Sequence, residues 1–150
     1  MNYRPYLDYF LEESSKYFNL VLFTASYREY AEKLLNKIDM KSELILNVLA
    51  RENCTKFRNN FIKDFRIVSN KNFAREDMLM LDNKVISFAY NMHQGIPILP
   101  YYDDQCDTEL RDILPFLIEL SSKKVNLKEK LKERYSYDKF GNLIFASQLQ

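Results

Sequence analysis

Two short apolar runs in this chain stop abruptly at polar residues suited to anion or metal chemistry. Leu20-Val21-Leu22-Phe23 is followed by Thr24-Ala25-Ser26, and Met78–Leu81 is followed by Asp82-Asn83. An unbroken run of this length suits a strand buried on both faces, as in a parallel sheet covered by helices. In open α/β sheets, ligands bind beyond the carboxyl ends of the strands. Thr24, Ala25 and Ser26 bring two hydroxyls and backbone N–H groups to the start of a helical pattern, a place that favours anions. The same residues are also legible as caps of that helix, and Asp82-Asn83 as an ordinary turn pair.

Composition narrows the chemistry. The 150 residues suffice for one domain with a real core, and 47% are hydrophobic. A net charge of +1 gives no bulk attraction to nucleic acid or anionic membrane. No apolar run approaches the roughly 20 residues of a membrane helix, and Met1–Pro5 has no secretory pattern. Cys54, Cys106 and the lone His93 lack metal-ligand spacing, which disfavours a zinc site or a Cys–His pair. The cysteines point to a reducing compartment. Only 2 glycines are present, so a Gly-rich phosphate loop is excluded.

The positioning elements alternate. Pro5–Tyr17 reads as an amphipathic helix leading into strand Leu20–Phe23, and a second helix spans Arg28–Lys37 with Tyr30, Ala31, Leu34, Leu35 and Ile38 inward. The segment 43–68 breaks this rhythm. It holds a strand over Leu44–Leu49 and aromatics mixed with Lys56, Arg58, Lys63 and Arg66, and it reads as a small antiparallel insert turning at Asn59-Asn60. Its charges either protect a strand edge or line a site. A helical turn over Val85–Tyr90 and a proline-bearing edge strand at Ile96–Leu99 follow. A helix opens at Asp107, carries Leu110, Ile113, Leu114 and Leu117 on one face, and is expected to kink or divide at Pro115. Ser121–Arg134 reads as a peripheral helix, its lysines either a solvated face or a docking surface, and Asp138–Gln150 as a hairpin fragment.

With these residues laid out, the chain resembles the catalytic domain of the RNA polymerase II C-terminal-domain phosphatases. These are the NLI-interacting-factor-like group of the haloacid dehalogenase superfamily. The resemblance is carried by Arg4-Pro5, Leu22-Phe23-Thr24-Ala25-Ser26, Tyr30-Ala31, Arg51-Glu52-Asn53-Cys54, Phe61-Ile62-Lys63-Asp64, Leu81-Asp82-Asn83, Ile96-Pro97-Ile98, Asp107–Leu110 and Leu114–Leu117, in family order. It implies a Rossmann-like parallel sheet flanked by helices, with a small antiparallel insert at 43–68. The phosphatase-like domain would cover 1–120 and a C-terminal appendage 121–150.

The resemblance also implies roles. Thr24, with the N–H groups of Thr24, Ala25 and Ser26, matches the residue that holds a phosphoryl oxygen. Lys63 matches the lysine that neutralises phosphoryl charge, and Asp82 and Asn83 match the pair that positions Mg²⁺, a hard cation wanting oxygen ligands. Tyr30 and Tyr27 match walls of an aromatic substrate pocket, and Arg51 a contact to the substrate peptide. The implied activity is Mg²⁺-dependent removal of phosphate from phosphoserine or phosphothreonine peptides through a phospho-aspartate. The RNA polymerase II C-terminal tail is one candidate substrate, no direct nucleic-acid contact is implied, and residence is nuclear or cytoplasmic.

One departure matters. The family's Asp-x-Asp-x-Thr nucleophile motif lies ahead of the Arg-Pro pair, where this sequence has only Met1–Tyr3, and the motif does not occur later. The first catalytic strand is therefore expected to be missing from between the strands at Leu20–Phe23 and Met78–Leu81. Three resolutions follow: the sequence is part of a longer protein, Leu143–Phe145 fills the gap, or the flanking strands pair directly. The alternative function is a catalytically inactive phosphopeptide-binding or scaffold protein, a pseudophosphatase. Lys84-Val85-Ile86 also replaces the family's usual Ser-Pro and small residue.

Overall fold

The computed structural model describes residues 3–41, 43–122 and 124–135. The described chain divides into two compact units, one formed by residues 3–52 with Leu99–Val125, the other by Asn53–Ile98 with residues 126–135.

The first unit is a strand–helix–strand crossover backed by helices. Helix α1 (Leu7–Ser15) starts later than Pro5 because Tyr6, at its N-cap, has a left-handed backbone with φ 64°. Strand β1 (Leu20–Phe23) falls where the apolar run predicts it. Helix α2 (Arg28–Ile38) buries Ala31, which packs with Val48 and Ala50 and against Leu22 and Leu35. Tyr30, expected inward, is exposed.

Strand β2 (Ile45–Leu49) runs parallel to β1. The expected antiparallel insert therefore begins too early at residue 43. The physical cause is Asp39. Its buried carboxylate accepts the N–H groups of Glu43, Leu44 and Ile45 at 3.1, 3.0 and 2.8 Å, which turns the chain from α2 back alongside β1. β1 is also less enclosed than an unbroken apolar run suggests, since Val21 is exposed.

Helix α3 (Glu109–Leu120) continues through Pro115 without division, buries Leu110, Ile113, Leu114, Phe116, Leu117 and Leu120, and packs against α1. Its start is tied to the chain's beginning. Arg4 donates to both Asp107 carboxylate oxygens at 2.7 Å and to the Leu99 carbonyl, and Asp107 also accepts the Glu109 N–H.

This fork, with side chains 9% and 15% exposed, carries a pH-dependent prediction. The Arg4 guanidinium holds the Asp107 carboxyl below the usual carboxylate range, helped by the Glu109 N–H and opposed by burial. A depressed carboxyl stabilises the fold above its ordinary value of about 3.9 and loses that contribution as pH falls through its folded value. Arg4→Met should cost about 1.5–3 kcal/mol at neutral pH, the worth of charged hydrogen bonds. In denaturant titrations the gap to the native chain should close below about pH 4. A gap unchanged at pH 3 would contradict the assignment.

The second unit opens with a hairpin of β3 (Thr55–Phe57) and β4 (Asn60–Ile62), in which Phe57 pairs with Asn60. The two-residue loop is thus Arg58-Asn59, one position earlier than expected. The positive φ, 53°, sits at Arg58 rather than at an asparagine. Strands β5 (Met80–Asp82) and β6 (Gly95–Pro97) pair in parallel and are joined by the 3-10 segment Val85–Gln94. Helix α4 (Leu127–Arg134) packs on that segment and buries Leu131 completely.

Among the described residues the sheets are β1-β2, β3-β4 and β5-β6. The expected hairpin at Asp138–Gln150, and the gap-filling role of Leu143–Phe145, lie outside the described residues. No described helix is long and apolar enough to cross a membrane.

Candidate active site

In the first unit, the turn after β1 is held by a compact set of bonds. The Thr24 N–H donates to the Leu49 carbonyl at 2.8 Å, extending the β1–β2 pairing by one residue. The Thr24 hydroxyl oxygen accepts the Ser26 N–H at 3.1 Å. Two of the three N–H groups expected to face a ligand are therefore used internally, and Ala25 keeps the one without a protein acceptor among the described residues. Thr24 and Ser26 are not caps of α2 either. The N-cap is Tyr27, and no side chain bonds there.

Arg51 closes this loop from the far end of β2. Its N–H donates to the Ser26 carbonyl at 3.0 Å and its Nε to the Ala25 carbonyl at 2.6 Å. Its guanidinium lies 4.1 Å from the Tyr27 ring centroid, a close cation–π stack. Tyr27 is 69% exposed, so the stack presents an aromatic and cationic surface to solvent. Tyr30, one helical turn from Tyr27, is exposed as well.

In the second unit, β4 delivers Lys63 and β5 delivers Asp82. Lys63 Nζ lies 2.5 Å from Asp82 Oδ2, with side chains only 12% and 7% exposed. Asp82 Oδ1 accepts the Lys84 N–H at 2.7 Å, so both carboxylate oxygens are held. Asn83, the next residue, is exposed.

The lysine is gripped along its backbone by the 3-10 segment. Its N–H donates to the Ser87 carbonyl at 2.7 Å, and its carbonyl accepts Asn91 Nδ2 at 2.9 Å. Asn91 is buried and its Oδ1 has no partner among the described residues. Nothing in the sequence pattern singled out Asn91, because its role is spatial and its neighbours Met92 and His93 carry no matching motif.

The donor set suits a hard cation in part. Among the described residues no group of three His, Cys, Asp or Glu side chains is arranged around a common point. Asp82 and Asn83 offer one carboxylate and one amide oxygen, and magnesium is commonly held by one or two carboxylates together with substrate phosphate and waters. Asp82 already balances Lys63, so its free lone pairs rather than a vacant oxygen would face the ion. Cys54 and Cys106 are not joined in a disulfide.

The sequence profile described as NLI interacting factor-like phosphatase matches residues 1–127. CTD small phosphatase-like protein 3 of Caenorhabditis elegans is 36% identical over 132 residues, which are 88% of this chain and 45% of that protein. The human carboxy-terminal domain RNA polymerase II polypeptide A small phosphatase 1 is 36% identical over 118 residues, covering 79% of this chain and 44% of that protein. This chain thus spans less than half the length of these relatives. A solved structure of Fcp1, titled an essential RNA polymerase II CTD phosphatase, has a similar fold, with TM-score 0.54 and 19% identity over 88% of this chain and 37% of that one.

Proposed function

This chain belongs to the NLI interacting factor-like phosphatase family, and on that premise we propose that it is part of a Mg²⁺-dependent protein serine/threonine phosphatase of the C-terminal-domain type. Thr24 and the Ala25 N–H hold a phosphoryl oxygen, with Ser26 shaping the turn. Lys63 neutralises phosphoryl charge. Asp82 and Asn83 hold the metal, which supplies further charge neutralisation when bound. Tyr27, Tyr30 and Arg51 take the flanking peptide. The phospho-accepting aspartate comes from sequence other than these 150 residues.

The observation that carries the reading is the buried Lys63–Asp82 pair beside exposed Asn83. Phosphoryl transfer builds charge on the equatorial oxygens, so its catalysis is positioning and electrostatic stabilisation. A lysine held at its backbone by Ser87 and Asn91 and at its tip by Asp82 is preorganised for that task. Substrates in this reading are phosphoserine or phosphothreonine proteins, the RNA polymerase II C-terminal tail among them, met in the nucleus or cytoplasm.

The test is phosphate release from a phosphoserine peptide by the chain extended upstream to include its coding context. Release that needs Mg²⁺ and is lost on mutating an upstream Asp-x-Asp-x-Thr motif supports the reading. The absence of such a motif upstream overturns it. A second reading, a pseudophosphatase that binds phosphopeptides without turnover, is supported by one observation: the exposed Tyr27 ring and the Arg51 guanidinium stack into a surface that involves no nucleophile. Peptide binding by the extended chain with no phosphate release would select this second reading.

A further inference from the structure

Three short 3-10 segments of the second unit meet at a cleft lined by Arg66, Arg75 and Tyr90. Arg66 is set by its neighbour Asp64. The buried Asp64 carboxylate accepts the Arg66 N–H at 2.9 Å, its Nε at 2.8 Å and one terminal nitrogen at 2.5 Å. Hydrogen bonds from Arg66 hold the Asp64 carboxyl low, so the pair stays ionised at neutral pH. The Arg66 guanidinium also faces the Tyr90 ring, 5.6 Å from its centroid.

Arg75 reaches the same residue at its backbone, with a 3.4 Å contact to the Tyr90 carbonyl. Its backbone is pinned by Gln94, whose side-chain amide donates to the carbonyls of Arg75 and Met78 at 2.5 and 2.8 Å. Asp64 offsets one of the two positive charges, which leaves Arg75 uncompensated by any ion pair among the described residues. Both guanidinium groups keep donors that no described protein atom accepts. Two guanidinium groups beside an aromatic ring, each with donors left over, suit the recognition of a dianionic phosphate.

We propose that this cleft is a second anion-binding site, built from residues other than the candidate active site, and that it takes a phosphorylated side chain of a protein partner. A lipid surface fits less well. Electrostatic membrane capture uses clusters of 4–8 basic residues, whereas here only two arginines, one of them paired with an acid, line an open cleft in a chain of net charge +1. The site stands whether or not the chain is part of a phosphatase.

The test reads the arginines directly. The Nε–H signals of Arg66 and Arg75 are followed by NMR during titration with a phosphoserine peptide, its unphosphorylated counterpart, inorganic phosphate, and phosphoinositide-containing vesicles. Arg75→Gln identifies one signal and tests its contribution, and Arg75→Lys retains charge without the fork. The expected result is saturable movement of both signals with the phosphopeptide, at least tenfold weaker response to the unphosphorylated peptide, and loss of that tenfold preference in Arg75→Gln with most of it lost in Arg75→Lys. Unmoved arginine signals overturn the proposal, as does a phosphate preference retained in full by Arg75→Gln, or a response to vesicles alone. Signals from Thr24 and Lys63 are read in the same spectra, so a failure of the phosphatase reading is separable from a failure here.

Discussion

Replacing Lys63 with methionine is expected to destabilise the fold by about 3–5 kcal/mol, the usual cost of leaving one member of a buried ion pair behind. Lys63 and Asp82 are 2.5 Å apart and nearly enclosed, so Asp82 would keep its charge without its cation. The remaining Lys84 N–H bond offsets only part of that loss. Against total stabilities of about 5–15 kcal/mol this is a large fraction. It should appear as a fall in melting temperature on the order of 10 °C. The double variant Lys63→Met with Asp82→Asn should recover most of the loss, because the amide keeps an acceptor for Lys84 and carries no charge. A Lys63→Met cost below 1 kcal/mol would mean that solvent already screens the pair, and the case for a preorganised lysine would go with it. A merely exposed pair would be worth only about 0–1 kcal/mol.

Gly95→Ala is expected to be nearly as damaging, for a steric reason. A Cβ at Gly95 would overlap Cδ2, Cε2 and Cγ of Phe88, and that ring is 2% exposed. The backbone at Gly95 is ordinary extended chain, φ −86° and ψ 133°, so alanine's conformational preferences are not at issue. The requirement is close approach of the strand to the ring. Overpacking a filled core costs about 1–3 kcal/mol and at times more, and such overlaps place Gly95→Ala at the top of that range, about 3 kcal/mol. The damage should reach the candidate site. Gly95 pairs with Met80, and two residues on, Pro97 pairs with Asp82. Urea unfolding of Gly95→Ala and of Gly95→Ala with Phe88→Leu checks the argument. The smaller, flexible leucine should restore at least half of the loss, and an unperturbed single variant would contradict the packing described.

The same residues show where sequence is a sufficient guide and where it is not. β1 ends at Phe23, and α3 shows its apolar stripe, because local pattern and tertiary burial agree at those places. Leu44–Leu49 was recognisable as a strand but not as a partner of β1. Its pairing is decided by the three N–H bonds into Asp39, a long-range consequence of where α2 stops. Tyr30 occupies an inward position of the helical period yet is exposed, since the small Ala31 supplies the contact with Val48 and Ala50. Pro115 does not divide α3, whose buried face runs across it.

At the candidate site, the motif order pointed to Thr24, Lys63, Asp82 and Asn83, but no periodicity foretells that Lys63 is tethered by Ser87 and Asn91. The hydroxyl of Thr24 binding the Ser26 N–H is a local turn that residue type permits and does not require. Arg66, whose charge suited either edge protection or the lining of a site, and Arg75, which no pattern marks, both approach Tyr90, a long-range meeting that local sequence does not show.

The most direct measurement is the affinity of the 150-residue chain for a phosphoserine peptide in the presence of Mg²⁺, taken for the native sequence, Thr24→Val and Asn83→Ala side by side. If the strand-tip residues grip the phosphate as proposed, each variant should bind at least tenfold more weakly while its melting temperature stays within a few degrees of the native value. Equal affinities across all three chains would contradict the assignment of these residues to phosphate handling.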